Sequence, residues 1–99
     1  MDSELLKKAT LVAKEDVGDL YFPKEEVIAS LEQRQELLSK MEKALKLGNA
    51  YHGKVKILFE DDNGLKTVET TIWGITDKNI LLKKTTILPI RRVHDVKFY

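Results

Sequence analysis

The chain has no cysteine among its 99 residues. Disulfides, thiolate zinc sites, iron–sulfur clusters and thiol nucleophiles are therefore excluded, and a reducing compartment fits the composition. Glycine and proline are scarce, at five and two. The glycines stand singly, so there is no glycine-rich phosphate loop. An excess of one charge is also lacking: 17 basic and 16 acidic residues leave a formal net charge of +1. No global field favours nucleic acid or an anionic membrane, and such a partner would need a local patch. No apolar run approaches membrane-spanning length. The opening MDSELLKKATLVAKED has acids before its lysines and no apolar signal core, so a cytoplasmic address without a membrane partner is expected. The only histidines, His52 and His94, have no third His or Cys to complete a ligand set, and no metal or cofactor is expected. Asp61-Asp62 lacks the rest of a calcium loop, and Ser3, Ser30 and Ser39 sit in no nucleophile elbow. These absences point away from an enzyme.

What is present is 42% hydrophobic and 33% charged, the balance of one globular domain over residues 1–99. Ser3 is a suitable N-cap, and Leu5, Ala9, Val12 and Ala13 follow at helical spacing up to Gly18, which predicts a helix over 4–16. Pro23 suits a first helical turn, and Lys24-Glu25-Glu26 places acids near the positive helix start. A second helix over 23–47 follows, with Val27, Ile28, Leu31, Leu38, Met41 and Leu45 as its apolar stripe and Leu37 and Ala44 on the flank. Of about 24 residues, it would span roughly 36 Å. That exceeds a small barrel, so the helix is expected to overhang, bend or pair, either with the first helix or with a second copy. Gln35 interrupts the stripe and marks either a buried specificity position in a helix dimer or the point where the apolar face rotates away.

The second half, 54–99, reads as short strands. Val55, Ile57 and Phe59 alternate with Lys54, Lys56 and Glu60. Asp62-Asn63-Gly64 predicts a hairpin turn with positive φ at Asn-Gly. A long strand over 65–76 follows, with Gly74 as a bend. Strands over 80–83 and 86–88, a break at Pro89, a 3₁₀ turn and a last strand through Val96 and Phe98 complete the order. The expected architecture is α+β: two N-terminal helices, then a five-stranded bent antiparallel sheet or SH3-like small barrel, which would remove exposed strand edges. Its inner set is Val55, Ile57, Phe59, Val68, Ile72, Ile80, Leu82 and Ile87. Leu58, Trp73, Leu81 and Leu88 fall on the opposite parity, and the long helix is expected to cover them.

Charge is mildly polarised along the chain. Residues 78–99 carry six basic residues and one acid, whereas residues 1–49 carry eight basic and ten acidic. Lys83, Lys84, Arg91, Arg92 and Lys97 are the candidate binding residues, able to converge on a phosphate backbone or to remain a solvated face. Trp73 is able to stack a base or grip a peptide, but its parity places it under the helix. Asp95, His94 and Arg92 would suggest catalysis only if they converged in a cleft.

The segment VKILFEDDNGLKTVETTIWGIT…NILLKKTTILPIRRVHDVKF resembles a family of small bacterial proteins with a helical first half and this strand-rich second half. That resemblance spans roughly Gly48 to Phe98 and implies no activity. The order is also similar to Sm-like proteins, but the paired Asp and Asn and the glycine-bearing strand of their RNA signature are absent, so no uridine-pocket residues carry over. The expected role is a non-catalytic protein-interaction or regulatory module, with a protein partner or a homodimer through the long helix. RNA binding through the basic residues is the alternative.

Overall fold

A computed structural model describes residues 7–82 and 86–98. The fold is mixed α+β, with one long helix and two sheets. Strands β1 (Thr10–Val12), β2 (Val55–Asp61), β3 (Gly64–Thr70) and β7 (Val93–Phe98) form a sheet of order β1-β3-β2-β7. Strands β4 (Gly74–Ile75), β5 (Asn79–Leu81) and β6 (Ile87–Pro89) form a second sheet in chain order. Helix α1 runs Leu31–Tyr51.

The helix expected over 4–16 is corrected by the structure. Its part before Lys7 lies outside the described residues, and Lys7 and Lys8 are helical. Thr10–Val12, however, pairs in parallel with Lys66–Val68, and Lys14–Asp19 forms a 3₁₀ helix. Its apolar face is narrow and Ala-rich, so a helix here would dock weakly, and ladder bonds to β3 outweigh its good helix propensity.

The second helix also starts later than expected. Residues 23–30 are an irregular strap with bends at Lys24, Glu25 and Val27, and Ser30 is the N-cap, its hydroxyl accepting from the Gln33 amide at 3.4 Å. Ser30-x-x-Gln33 is a capping-box spacing and is the stronger start signal. The helix ends at His52, whose φ of 53° makes it a left-handed cap; its amide donates to the Gly48 carbonyl. At 21 residues the helix spans about 31 Å, close to the longest extent of the molecule, 32 × 30 × 26 Å.

The helix packs on the inner set, not on the outer one. Leu37, Met41 and Ala44 share a core cluster with Val55, Ile57, Phe59, Val68, Ile72, Ile80, Leu82 and Leu88. The buried stripe is therefore rotated by one position from Leu38 to Leu37, and Gln35 is exposed. Leu58 is buried but lies outside that cluster, and Trp73 remains 59% exposed. Parity also reverses in β6: register pairs Ile80 with Leu88 and Leu81 with Ile87, so Leu88 is buried and Ile87 is 46% exposed. Facing residues of a ladder share a face, and Ile80 already points into the core.

The β2–β3 hairpin falls at its expected place with a different turn. Asn63 keeps negative φ, Gly64 has φ 129°, and Asp61 Oδ1 accepts from the Asn63 amide at 2.9 Å in an Asx turn. The long strand over 65–76 is split at Thr71–Trp73, where the chain passes beneath the helix at Gly48. Pro89 pairs with Asn79 inside β6 instead of breaking it, because β6 is an edge strand of its sheet. The expected 3₁₀ turn is Ile90–Arg92.

Candidate partner-binding groove

Three elements meet where the strap enters α1. The 3₁₀ turn Ile90–Arg92 holds the strap through its two arginines. Arg91 Nε donates to the Pro23 carbonyl at 3.0 Å and Nη2 to the Phe22 carbonyl at 3.2 Å. The Val27 amide donates back to the Arg91 carbonyl at 2.9 Å. Arg92 is 5% exposed; its Nη1 donates to the Glu25 carbonyl at 2.8 Å and its Nε to the Glu60 carbonyl at 2.9 Å. The planar guanidinium suits this bridging, because its donors point in fixed directions at several acceptors. Phe22 anchors the strap on the core, its ring centroid 6.0 Å from that of Phe59.

From the helix side, Arg34 Nε donates to the Ile28 carbonyl at 2.9 Å, and its guanidinium is paired with Glu26. From the second sheet, the turn before β5 is closed by Thr76, whose hydroxyl accepts from the Lys78 and Asn79 amides at 3.3 and 3.0 Å. The Ile90 amide donates to the Lys78 carbonyl at 2.9 Å, which sets Lys78 beside the 3₁₀ turn.

Between these walls lies a groove of about 590 Å³, within the roughly 300–1,000 Å³ of ligand-sized sites. Its apolar lining is Ile28, Leu37, Leu38, Ile90 and Val93, and its charged lining is Lys24, Arg34, Lys78 and Arg91 with Glu26 and Asp77. Leu38 is 44% exposed there, and Leu31, about two turns earlier on the same side of α1 and outside the groove lining, is more exposed still. Lys24 and Lys78 make no ion pair among the described residues, whereas Glu26 is paired with Arg34.

The five candidate residues from the sequence have different placements. Lys83 and Lys84 lie outside the described residues. Arg91 lines the groove, and Arg92 is interior, with its donors engaged by backbone carbonyls and the Glu60 carboxylate. Lys97 is exposed on β7 opposite Lys56, which pairs with Glu69 at 3.3 Å, and it does not line the groove. Lys24, Arg34, Lys78 and Leu38 were not anticipated as a site; recognising the Ser30 cap would have released 23–30 from the helix and exposed this face.

Arg92 and His94 do converge, on Glu60 and not on Asp95. His94 Nε2 lies 3.0 Å from Glu60 Oε1, and Arg92 Nη2 lies 3.4 Å from Glu60 Oε2. Asp95 instead accepts from Lys40 at 2.8 Å and from the Val96 amide at 2.8 Å. Burial raises its pKa, but the Lys40 and Val96 hydrogen bonds and the Lys40 charge outweigh burial, and the net direction is downward. Among the described residues no group of three His, Cys, Asp or Glu side chains is placed to hold a metal, and no helix is long and apolar enough to cross a membrane.

No protein family matches the chain, and no match is found among curated proteins or solved structures.

Proposed function

We propose that this chain is a non-catalytic protein-interaction module, with an SH3-like small barrel as its scaffold and the groove at the start of α1 as its partner site. The order β7-β2-β3, then β4-β5-β6, with a 3₁₀ turn before the last strand, supports the scaffold reading. It departs from that scaffold in that β1 adds a parallel edge strand and the two sheets stay separate, with no closed barrel among the described residues. The observation that carries the functional reading is the half-exposed Leu38 in a ligand-sized, largely apolar groove. A concave, ligand-sized apolar pocket with a few convergent polar groups is the default place for a binding site. Binding of RNA phosphates through the basic residues draws less support, because Arg92 is buried and Lys97 does not line the groove with Arg91.

The test pans a display library of short random peptides against the protein, with the Leu38→Asp protein as counter-target. A labelled single-stranded oligouridylate is titrated in parallel. The reading expects peptides that bind the protein and are lost with Leu38→Asp. It is overturned if no peptide is selected, or if the oligouridylate binds with a steep salt dependence that Leu38→Asp leaves intact.

A further inference from the structure

We infer that the occupant of the groove is an acidic peptide segment carrying apolar anchor side chains. This rests on the reading of the groove as a partner site and names the chemistry of that partner. Four cationic side chains and two carboxylates line the groove. One of those carboxylates, Glu26, is neutralised by Arg34, which is itself fixed to the Ile28 carbonyl. Arg91 keeps its charge while its donors hold the strap. Lys24 and Lys78 are exposed, lie on different elements, one on the strap and one on the turn before β5, and make no ion pair among the described residues.

With Asp77 counted against Lys24, Lys78 and Arg91, the charge left for a partner is still positive, and it lies beside the apolar side chains of Leu37, Leu38 and Ile90. That distribution complements carboxylates flanking an aliphatic or aromatic side chain. Charges of this sort choose the partner and speed encounter more than they add affinity, and the buried anchor supplies the affinity. A second copy of this chain is a poorer occupant. A two-fold contact would set the same cationic surface against itself, and like charges facing each other disfavour the pairing.

The experiment reads the sequences of the selected peptides and measures individual ones by fluorescence polarisation. Binding is compared across the unaltered protein, the Lys24→Glu/Lys78→Glu protein and the Leu38→Asp protein. Both lysines are exposed, and amide NMR spectra confirm that each variant is folded. Enrichment of Asp and Glu beside apolar residues is expected, with binding weakened about tenfold or more by the double charge reversal. Peptides that depend on Leu38 but carry no acidic enrichment, and bind the double variant equally well, overturn the acidic occupant and leave the groove as a partner site. Peptides indifferent to Leu38→Asp overturn both. Dodecanoate binding in the groove more tightly than any selected peptide, or a chain that is dimeric by light scattering and monomeric as Leu38→Asp, overturns the peptide and assigns the groove to an acyl chain or to a second copy.

Discussion

Gly48 and Ile72 are in backbone contact: a Cβ built at Gly48 would stand 2.6 Å from the Ile72 carbonyl oxygen. This contact lets the last turns of α1 lie directly on the segment where the long strand leaves the first sheet. Thr71 closes the same junction, its hydroxyl donating to the His52 carbonyl at 3.3 Å.

Substituting Gly48→Ala tests that junction. In an open helix the change would stabilise by about 1 kcal/mol. Here the clash with fixed backbone reverses the sign, and a net loss of about 1–3 kcal/mol is expected. Urea unfolding reads it as a lower midpoint at unchanged slope. Gly18→Ala is the control, because nothing lies within 4 Å of its added Cβ; it should change stability by no more than about 0.5 kcal/mol.

Arg92→Lys keeps the charge and loses the fork. The carbonyls of Glu25 and Glu60 cannot both be reached by one ammonium in the same geometry. A cost of about 1–3 kcal/mol is expected from the buried acceptor left unpaired. Equal stability of Arg92→Lys and the unaltered chain would show that the bridge contributes nothing.

Arg91→Ala acts more locally. It removes the donors to Phe22 and Pro23 but leaves the Arg91 carbonyl, and so the Val27 amide bond, in place. Hydrogen exchange should speed up over strap residues 22–28 while β2 and β3 keep their protection. Uniform acceleration through both strands would instead mean that the strap is an integral part of the core.

Acid stability is expected to depend on Asp95. Its folded pKa lies below the ordinary value of 3.8 because the Lys40 and Val96 hydrogen bonds outweigh burial. Its contribution is therefore complete above the unfolded value and is lost as pH falls through the lowered folded one. Asp95→Asn should flatten the stability profile below about pH 4 and lower stability near neutral pH. Thermal unfolding across that range decides it: an unchanged acid limb would remove Asp95 from the linkage.

Much of the fold was legible because it rests on period. Alternation placed β2 and its inward Val55, Ile57 and Phe59, and seven of the eight residues assigned inward are fully buried. Asp62-Asn63-Gly64 located the hairpin, and the spacing of Ile90, Val93 and Val96 located the 3₁₀ turn and last strand. Less of the site was legible. Arg91 was picked out for its charge, but charge in a sequence does not say which donors a backbone will claim.

The amino-acid sequence by itself determined the α+β class, the buried face of β2, the hairpin position and the absence of thiol chemistry. These follow from local periodicity and composition. Tertiary structure alone decided that Thr10–Val12 is a strand, since its ladder partner lies far along the chain in β3. It also decided which side of α1 is buried, because Leu37 and Leu38 are adjacent and equally apolar, and the close approach of Gly48 to Ile72 falls on the same helix face as Leu37, Met41 and Ala44. The groove is the result of that rotation: it turns Leu38 outward, between a strap and a turn that sequence order keeps far apart.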